Sequence, residues 1–221
     1  WLVLWRLGLP LDDLDTVAER ELSPHEQHAV NELVEQRITT HKPTAYLTRE
    51  AWLQGVPFYV AERVVVPRSL IAEPLADGTL DAWLSERTER VLDLCTGNGS
   101  LAVLAALAWP AVHVDAVDLS TDALAVARIN VERHRLADRI TLRHGDGLSG
   151  VQGPYDLILC NPPYVPDASM RTLPPEFRHE PRLALAGGAD GMMLVRRLLH
   201  DAPACMTEEG LLVLEIGHER E

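Results

Sequence analysis

The 221 residues are enough for one domain of moderate size with a smaller appendage, and 47% apolar content is enough for a sizeable core. The net charge is −13, with Lys42 the single lysine among 20 basic residues. Duplex DNA or naked RNA is therefore not expected as the main partner; a basic protein fits better.

The apolar stretch from Trp1 to Pro10 contains Arg6 and is too short to span a bilayer. It also lacks a small-residue cleavage site, so neither a membrane anchor nor a signal peptide is expected. The start at Trp1 rather than Met implies further residues upstream. To about His41 the pattern is helical. Ser23 can cap a helix, Pro24 suits its first turn and Glu26 closes a capping box. Ala29, Val30, Leu33, Val34 and Ile38 then recur at helical spacing. Residues 1–43 are expected to form a helical accessory or substrate-recognition domain. From Thr44 to Arg68 the pattern is strand-like. Ala51 to Leu53 and Phe58 to Val60 flank the turn signal Gln54-Gly55-Val56-Pro57, and Val64-Val65-Val66 continues the β character. Residues 44–68 thus read as a β-hairpin connector. A helix follows over Leu70 to Leu84, interrupted near Asp77-Gly78.

From Arg90 strands and helices alternate. Strands are expected at Val91 to Cys95, Val112 to Val117, Ile140 to Arg143, Tyr155 to Cys160 and Leu211 to Ile216. Helices are expected at Ser100 to Trp109, Thr121 to Leu136 and Gly191 to Met206. This alternation predicts an α/β fold with a doubly wound, mostly parallel sheet over residues 69–221. Cys95, Cys160 and Cys205 are widely separated and form no C-x-x-C pair, so they read as buried thiols of a reducing cytosol rather than metal ligands or disulfides. No histidine spacing indicates a metal site, and His144 reads as a turn or surface residue.

The first motif is Asp93-Leu94-Cys95-Thr96-Gly97-Asn98-Gly99, a strand running through a glycine turn into a helix. Glycine lets the backbone approach a ligand closely. Asp118 lies 21 residues after Gly97, at the end of the next strand, where a carboxylate can receive two ribose hydroxyls. The glycines alone fit a dinucleotide equally well, or a tight turn without a ligand. Asp93 shifts the balance. An acid at that strand end suits the ammonium of S-adenosylmethionine and would repel a pyrophosphate. Asp146 is placed to hold the adenine amino group, or else to cap a turn. With Thr96, Asn98, Leu119, Gly147 and Asn161, these residues make up the expected cofactor set.

The second motif, Asn161-Pro162-Pro163-Tyr164, follows the fourth strand of the sheet. Ligands of doubly wound sheets bind at such carboxyl ends. An amide nitrogen is a weak nucleophile with two hydrogens. The Asn161 side-chain oxygen and the Pro162 carbonyl can accept both, while the prolines add no competing N–H. That would aim the nitrogen at a sulfonium methyl, so positioning is the main catalytic effect. Tyr164 can stack on a planar amide or base. Asn161, Pro162 and Tyr164 are the candidate catalytic residues.

On these motifs the chain resembles the protein glutamine methyltransferases, which modify peptide release factors or a ribosomal protein. The resemblance covers nearly the whole chain. Tyr46, Phe58-Tyr59-Val60, Arg63, Val66-Pro67-Arg68-Ser69, Cys95-Thr96-Gly97 and Phe177-Arg178-His179-Glu180-Pro181 resemble the ribosomal branch in particular. The release-factor branch more often has Gly at position 95 and no Arg-His before Glu180-Pro181. The resemblance implies a Rossmann-like class I methyltransferase. Its implied substrate is a glutamine of large-subunit ribosomal protein L-three. The family's domain continues past Gly217 with a helix and a terminal hairpin, so a seven-stranded sheet would here lack its last two strands. A DNA adenine methyltransferase shares the second motif, but the charge of −13 argues against it. A non-catalytic scaffold conflicts with the intact tetrapeptide.

Two further expectations follow. The corner Val66-Pro67-Arg68 and Glu73 should border the active site. The stretch from Val165 to Ala189, with Pro166, Pro174, Pro175 and Pro181, should be the specificity element. Within it Arg178, His179 and Glu180, together with Asn161, Pro162, Pro163 and Tyr164, are the candidate substrate contacts.

Overall fold

The computed structural model describes residues 1–12, 14–85 and 87–217. Helices α1 (Leu2–Leu7), α2 (Leu14–Val17), α3 (Pro24–Thr40) and α4 (Thr44–Thr48) come first. The capping box at α3 forms as expected: the Ser23 Oγ accepts from the Glu26 N–H, and the Glu26 carboxylate accepts from the Ser23 N–H. The apolar stripe of α3 is only partly used, since Ala29 and Val30 are buried while Ile38 stays exposed. Thr44 to Thr48, expected to be strand-like, is helical instead, with the Thr48 hydroxyl bonded back to the Thr44 carbonyl.

Strands β1 (Glu50–Leu53) and β2 (Val56–Tyr59) pair antiparallel, with Leu53 opposite Val56. The turn is therefore two residues, Gln54 and Gly55, both at positive φ (49° and 74°), the backbone that a tight right-twisted hairpin requires. Val56 and Pro57 belong to the strand rather than the turn. Val64 to Val66 forms no strand and runs on as the extended corner. The interrupted helix expected after the corner is α5 (Ala72–Ala76), followed by a 3-10 turn at Thr79–Trp83.

The large sheet contains β3 (Arg90–Leu94), β4 (His113–Asp118), β5 (Ile140–His144), β6 (Tyr155–Cys160) and β7 (Met206–Leu214), all parallel, in the order β5-β4-β3-β6-β7. Helices α6 (Ser100–Ala108), α7 (Thr121–Arg133), α8 (Arg182–Leu185) and α9 (Met193–Asp201) complete the fold. The central strand β3 is buried on both faces. On one side Val91 and Leu157 pack with α5 and α6, and on the other Leu92, Leu94 and Ile158 pack with Leu198 of α9. α9 is shorter than expected and β7 begins earlier, because the chain tightens into a 3-10 turn at Ala202–Cys205.

This winding order places the site. The chain steps outward from β3 through β4 to β5, then returns to the other side of β3 with β6. Neighbouring strands whose connections leave in opposite directions open a crevice at their carboxyl ends. Here those strands are β3 and β6, with Leu94 paired to Cys160. The glycine turn after β3 and the tetrapeptide after β6 therefore emerge side by side.

Candidate active site

The floor is the glycine turn. Asp93 is fully buried beneath it. Its Oδ2 accepts from the Thr96 hydroxyl at 2.5 Å and the Ala102 N–H at 3.0 Å, while Oδ1 has no partner among the described residues. Burial pushes its pKa up to about 7. The Asn98 Nδ2 is likewise buried without a partner. Two unsatisfied polar atoms under a turn that lines a cavity fit a ligand carrying both charge and hydrogen-bonding groups. Gly99 has φ 81°, and a Cβ there would stand 3.2 Å from that of Ala127, so the turn packs directly on α7. Asp118 holds the turn from the side, accepting from the Gly97 N–H at 2.9 Å and the Ser120 N–H at 2.8 Å. Burial raises its pKa as well.

Asn130 of α7 is a residue that sequence reasoning missed. It is fully buried, accepts from the Tyr59 N–H, and donates to the Tyr59 and Asn98 carbonyls. One side chain thus ties the hairpin to the glycine turn. Its helical position among apolar neighbours carried no sign of this role.

The roof is the tetrapeptide. No described residue hydrogen-bonds the Asn161 side-chain amide. The Tyr164 hydroxyl donates to Glu215 at 3.1 Å. Glu215, just beyond β7, also accepts from the Ser69 hydroxyl (2.6 Å) and the Leu70 N–H (2.9 Å). A Cβ on Gly187 would lie 2.7 Å from the Pro163 carbonyl oxygen and 2.8 Å from the Tyr164 Cα, so only glycine lets the returning chain press on the motif.

Two adjoining cavities meet here. The larger, about 340 Å³, is bordered by Thr96, Gly97, Asn98, Asn161, Pro162 and Tyr164, with an apolar wall from Pro166, Leu173, Phe177 and Leu185. The smaller, about 110 Å³, is bordered by Arg63, Asp118, Leu119, Asp146, Gly147 and Pro163. Val65, Cys95, Gly97, Asn161 and Ala184 belong to both. Asp146 carries an ion pair that the sequence did not announce, with Arg197 of α9 at 2.6 Å, and Gly147 packs on the same guanidinium.

The stretch from Val165 to Ala189 is more ordered than a long loop. It holds 3-10 turns at Ser169–Arg171 and Pro175–His179, then α8, and Val165 bridges to Ala186. It lines the larger cavity through Pro166, Leu173 and Phe177, but Arg178, His179 and Glu180 line neither cavity. Any contact of these three with a protein substrate would therefore be made outside the two cavities. Glu180 is buried and grips Arg68 with both oxygens, at 2.8 and 2.7 Å. His179 bonds the Thr40 carbonyl (2.8 Å), and Arg178 points to the exposed surface. Arg68 also lies over the Phe177 ring at 4.8 Å. The corner Val66-Pro67-Arg68 does line the larger cavity, whereas Glu73 is exposed and lines neither. Among the described residues no helix is long and apolar enough to cross a membrane.

Residues 78–188 match the family model described as the methyltransferase small domain. All of the chain aligns with 75% of the ribosomal protein uL3 glutamine methyltransferase of Bordetella pertussis at 54% identity, and with 75% of the Burkholderia pseudomallei protein of the same name at 52%. Among solved structures, the hMettl16 catalytic domain, captured in complex with an MAT2A 3'UTR hairpin, matches at TM-score 0.57 and 14% identity. That match covers 89% of this chain and 69% of that one, and it bears on the fold alone. The five-stranded parallel sheet with flanking helices is that of a Rossmann-like class I methyltransferase. At this identity and coverage, the chain belongs to the family of ribosomal protein uL3 glutamine methyltransferases.

Proposed function

We propose that this enzyme transfers a methyl group from S-adenosylmethionine to the side-chain amide nitrogen of a glutamine in ribosomal protein uL3. The observation that carries the reading is the adjacency of the glycine turn and Asn161-Pro162-Pro163-Tyr164 at the paired ends of β3 and β6, with two cavities sharing Gly97 and Asn161. The smaller cavity suits the adenosine, with Asp118 toward the ribose and Leu119, Asp146 and Gly147 about the base. The larger suits the methionine part over Thr96, Gly97 and Asn98, with the acceptor amide against Pro162 and Tyr164. Asp93 and its unpartnered oxygen balance the ammonium end of that ligand.

When bound, S-adenosylmethionine supplies a sulfonium methyl, a strong electrophile. The chain's own task is to present a weak nucleophile. Asn161 Oδ1 and the Pro162 carbonyl accept the two amide hydrogens and fix the nitrogen's direction. The apolar wall of Leu173 and Phe177 keeps water from competing. Pro163 shapes the turn between the two cavities. No strong base is needed beforehand, because the excess proton leaves for water after transfer. The helical segment 1–43 fits a role in recognising the protein substrate, since Arg37 pairs with Glu176 (2.8 Å) and Thr40 with His179 across to the cavity wall.

The test is incubation of the purified protein with methyl-labelled S-adenosylmethionine and separately with uL3, a peptide release factor and adenine-containing DNA, followed by mass spectrometry. Label on a uL3 glutamine is expected. Asn161→Ala should lose turnover by about a hundredfold, while cofactor affinity is retained. Parent-rate methylation by Asn161→Ala would overturn the amide clamp, and label on another acceptor would overturn the substrate.

A further inference from the structure

Glu215 takes no part in the scheme above, yet it is a buried carboxylate with three donors around it. A carboxylate out of water is costly unless hydrogen-bonded, and this one is fully engaged. Its partners come from two walls of the larger cavity. Tyr164 belongs to the tetrapeptide, whereas Ser69 and the Leu70 N–H belong to the corner that carries Arg68. Glu215 itself is anchored by its N–H to the Cys160 carbonyl (3.0 Å), the last residue before Asn161. A Cβ on Gly217 would stand 3.3 Å from the Tyr164 ring, so the same segment also backs the ring.

We infer that Glu215 is a positioning residue, which fixes the Tyr164 ring over the acceptor group by holding its hydroxyl and couples that ring to the Ser69 corner. The hydroxyl is thereby committed to Glu215, and Tyr164 works through its ring face. The inference rests on the reading of this cavity as the acceptor site. It does not depend on which planar amide or amine enters.

The experiment is a double-mutant cycle of Glu215→Gln and Tyr164→Phe in the full chain, with kcat, KM for the acceptor and cofactor affinity measured separately. Glutamine keeps the size but presents an NH2 group toward donors, so it cannot accept from all three. Each single variant should lower kcat by about tenfold or more with cofactor affinity unchanged, and the double variant should be no worse than the poorer single. Additive losses, parent-like kcat in either variant, or cofactor affinity falling in step with kcat would overturn the inference. Should Glu215→Gln fail to fold, Tyr164→Phe removes one oxygen atom and decides alone, by the same split between kcat and cofactor affinity. If the parent acts on the release factor or on adenine rather than uL3, the substrate reading fails, while the cycle is run on that acceptor and still decides the role of Glu215. Transfer to none of the three would overturn both.

Discussion

Asp93 offers a test of the cofactor site that needs no protein substrate. In the unfolded chain its carboxyl titrates near 3.8, whereas burial raises the folded value to about 7 against the opposing pull of Thr96 and the Ala102 N–H. The folded state therefore holds the proton more tightly. Its contribution to stability is complete below pH 3.8, declines as the pH rises through the window from 3.8 to 7, and levels off above it. The interval of about three pH units corresponds to about 4 kcal/mol, falling at about 1.4 kcal/mol per unit between pH 5 and 7. Asp93→Asn keeps an acceptor for Thr96 and Ala102 and sets an uncharged NH2 group at the unpartnered position. Urea unfolding at pH 5 and pH 7 should therefore show the variant gaining about 2–3 kcal/mol on the parent. In the proposed site the cofactor's ammonium would favour the charged form of Asp93. Calorimetry at pH 6 in two buffers of different ionisation enthalpy should show close to one proton released on binding, and markedly fewer in Asp93→Asn. Asp118, whose pKa is also raised, is common to both proteins, so the difference comes mainly from Asp93. Parallel stability profiles, or equal proton release, would refute the assignment.

Asp118→Ala should weaken S-adenosylmethionine by about 3–6 kcal/mol, the loss of two charge-assisted hydrogen bonds; an unchanged dissociation constant would count against Asp118 as the ribose acid. Arg68→Ala strands the Glu180 side chain, only 3% exposed, without its cation, and should cost about 3 kcal/mol of stability, with Glu180→Gln added to Arg68→Ala recovering part of it. Unfolding midpoints equal to the parent's would show that the pair contributes nothing. Exchanging Met170 to Pro181 for the release-factor branch's equivalent should lower turnover on uL3 while sparing cofactor affinity, and equal turnover would move specificity to the helical segment.

The parts of the fold legible in the sequence were those written in local chemistry. β6 was read at Tyr155 to Cys160, as observed, because an apolar run ends abruptly at Asn161-Pro162. The α3 start was read from one capping box. Boundaries failed where tertiary contacts decide them. Thr44 to Thr48 has β-branched ends, yet it turns helical so that Tyr46 can bury its ring and donate to the Val64 carbonyl at 2.5 Å. Both motif segments were visible because each needs particular residues at fixed neighbours. What escaped were long-range partners: Asn130 to Tyr59 is 71 positions apart, and Glu215 to Ser69 is 146. No periodicity records such pairs. The same limit hid the pairing of Glu180 with Arg68, 112 positions away.

The charge pattern near the cavities bears on how an amide can be recognised at all. The chain is strongly acidic, yet several acids close to the cavities are matched internally. Glu180 pairs with Arg68, Glu176 with Arg37, Asp190 with Arg196 and Asp146 with Arg197. The net charge of −13 would thus act at long range on any charged partner, while the wall around Asn161 is apolar, from Pro166, Leu173, Phe177 and Leu185. A neutral amide loses little on leaving water for such a wall, provided its two hydrogens find acceptors. Neutral acceptors serve better than charged ones. A carboxylate in place of Asn161 would also accept hydrogen bonds, but its full charge would stabilise the sulfonium before transfer, when that charge is greatest, and so raise the barrier. In the proposed site an asparagine oxygen and a proline carbonyl would orient the nitrogen without that penalty, which is a physical reason for this tetrapeptide to carry an amide side chain rather than an acid at its first position.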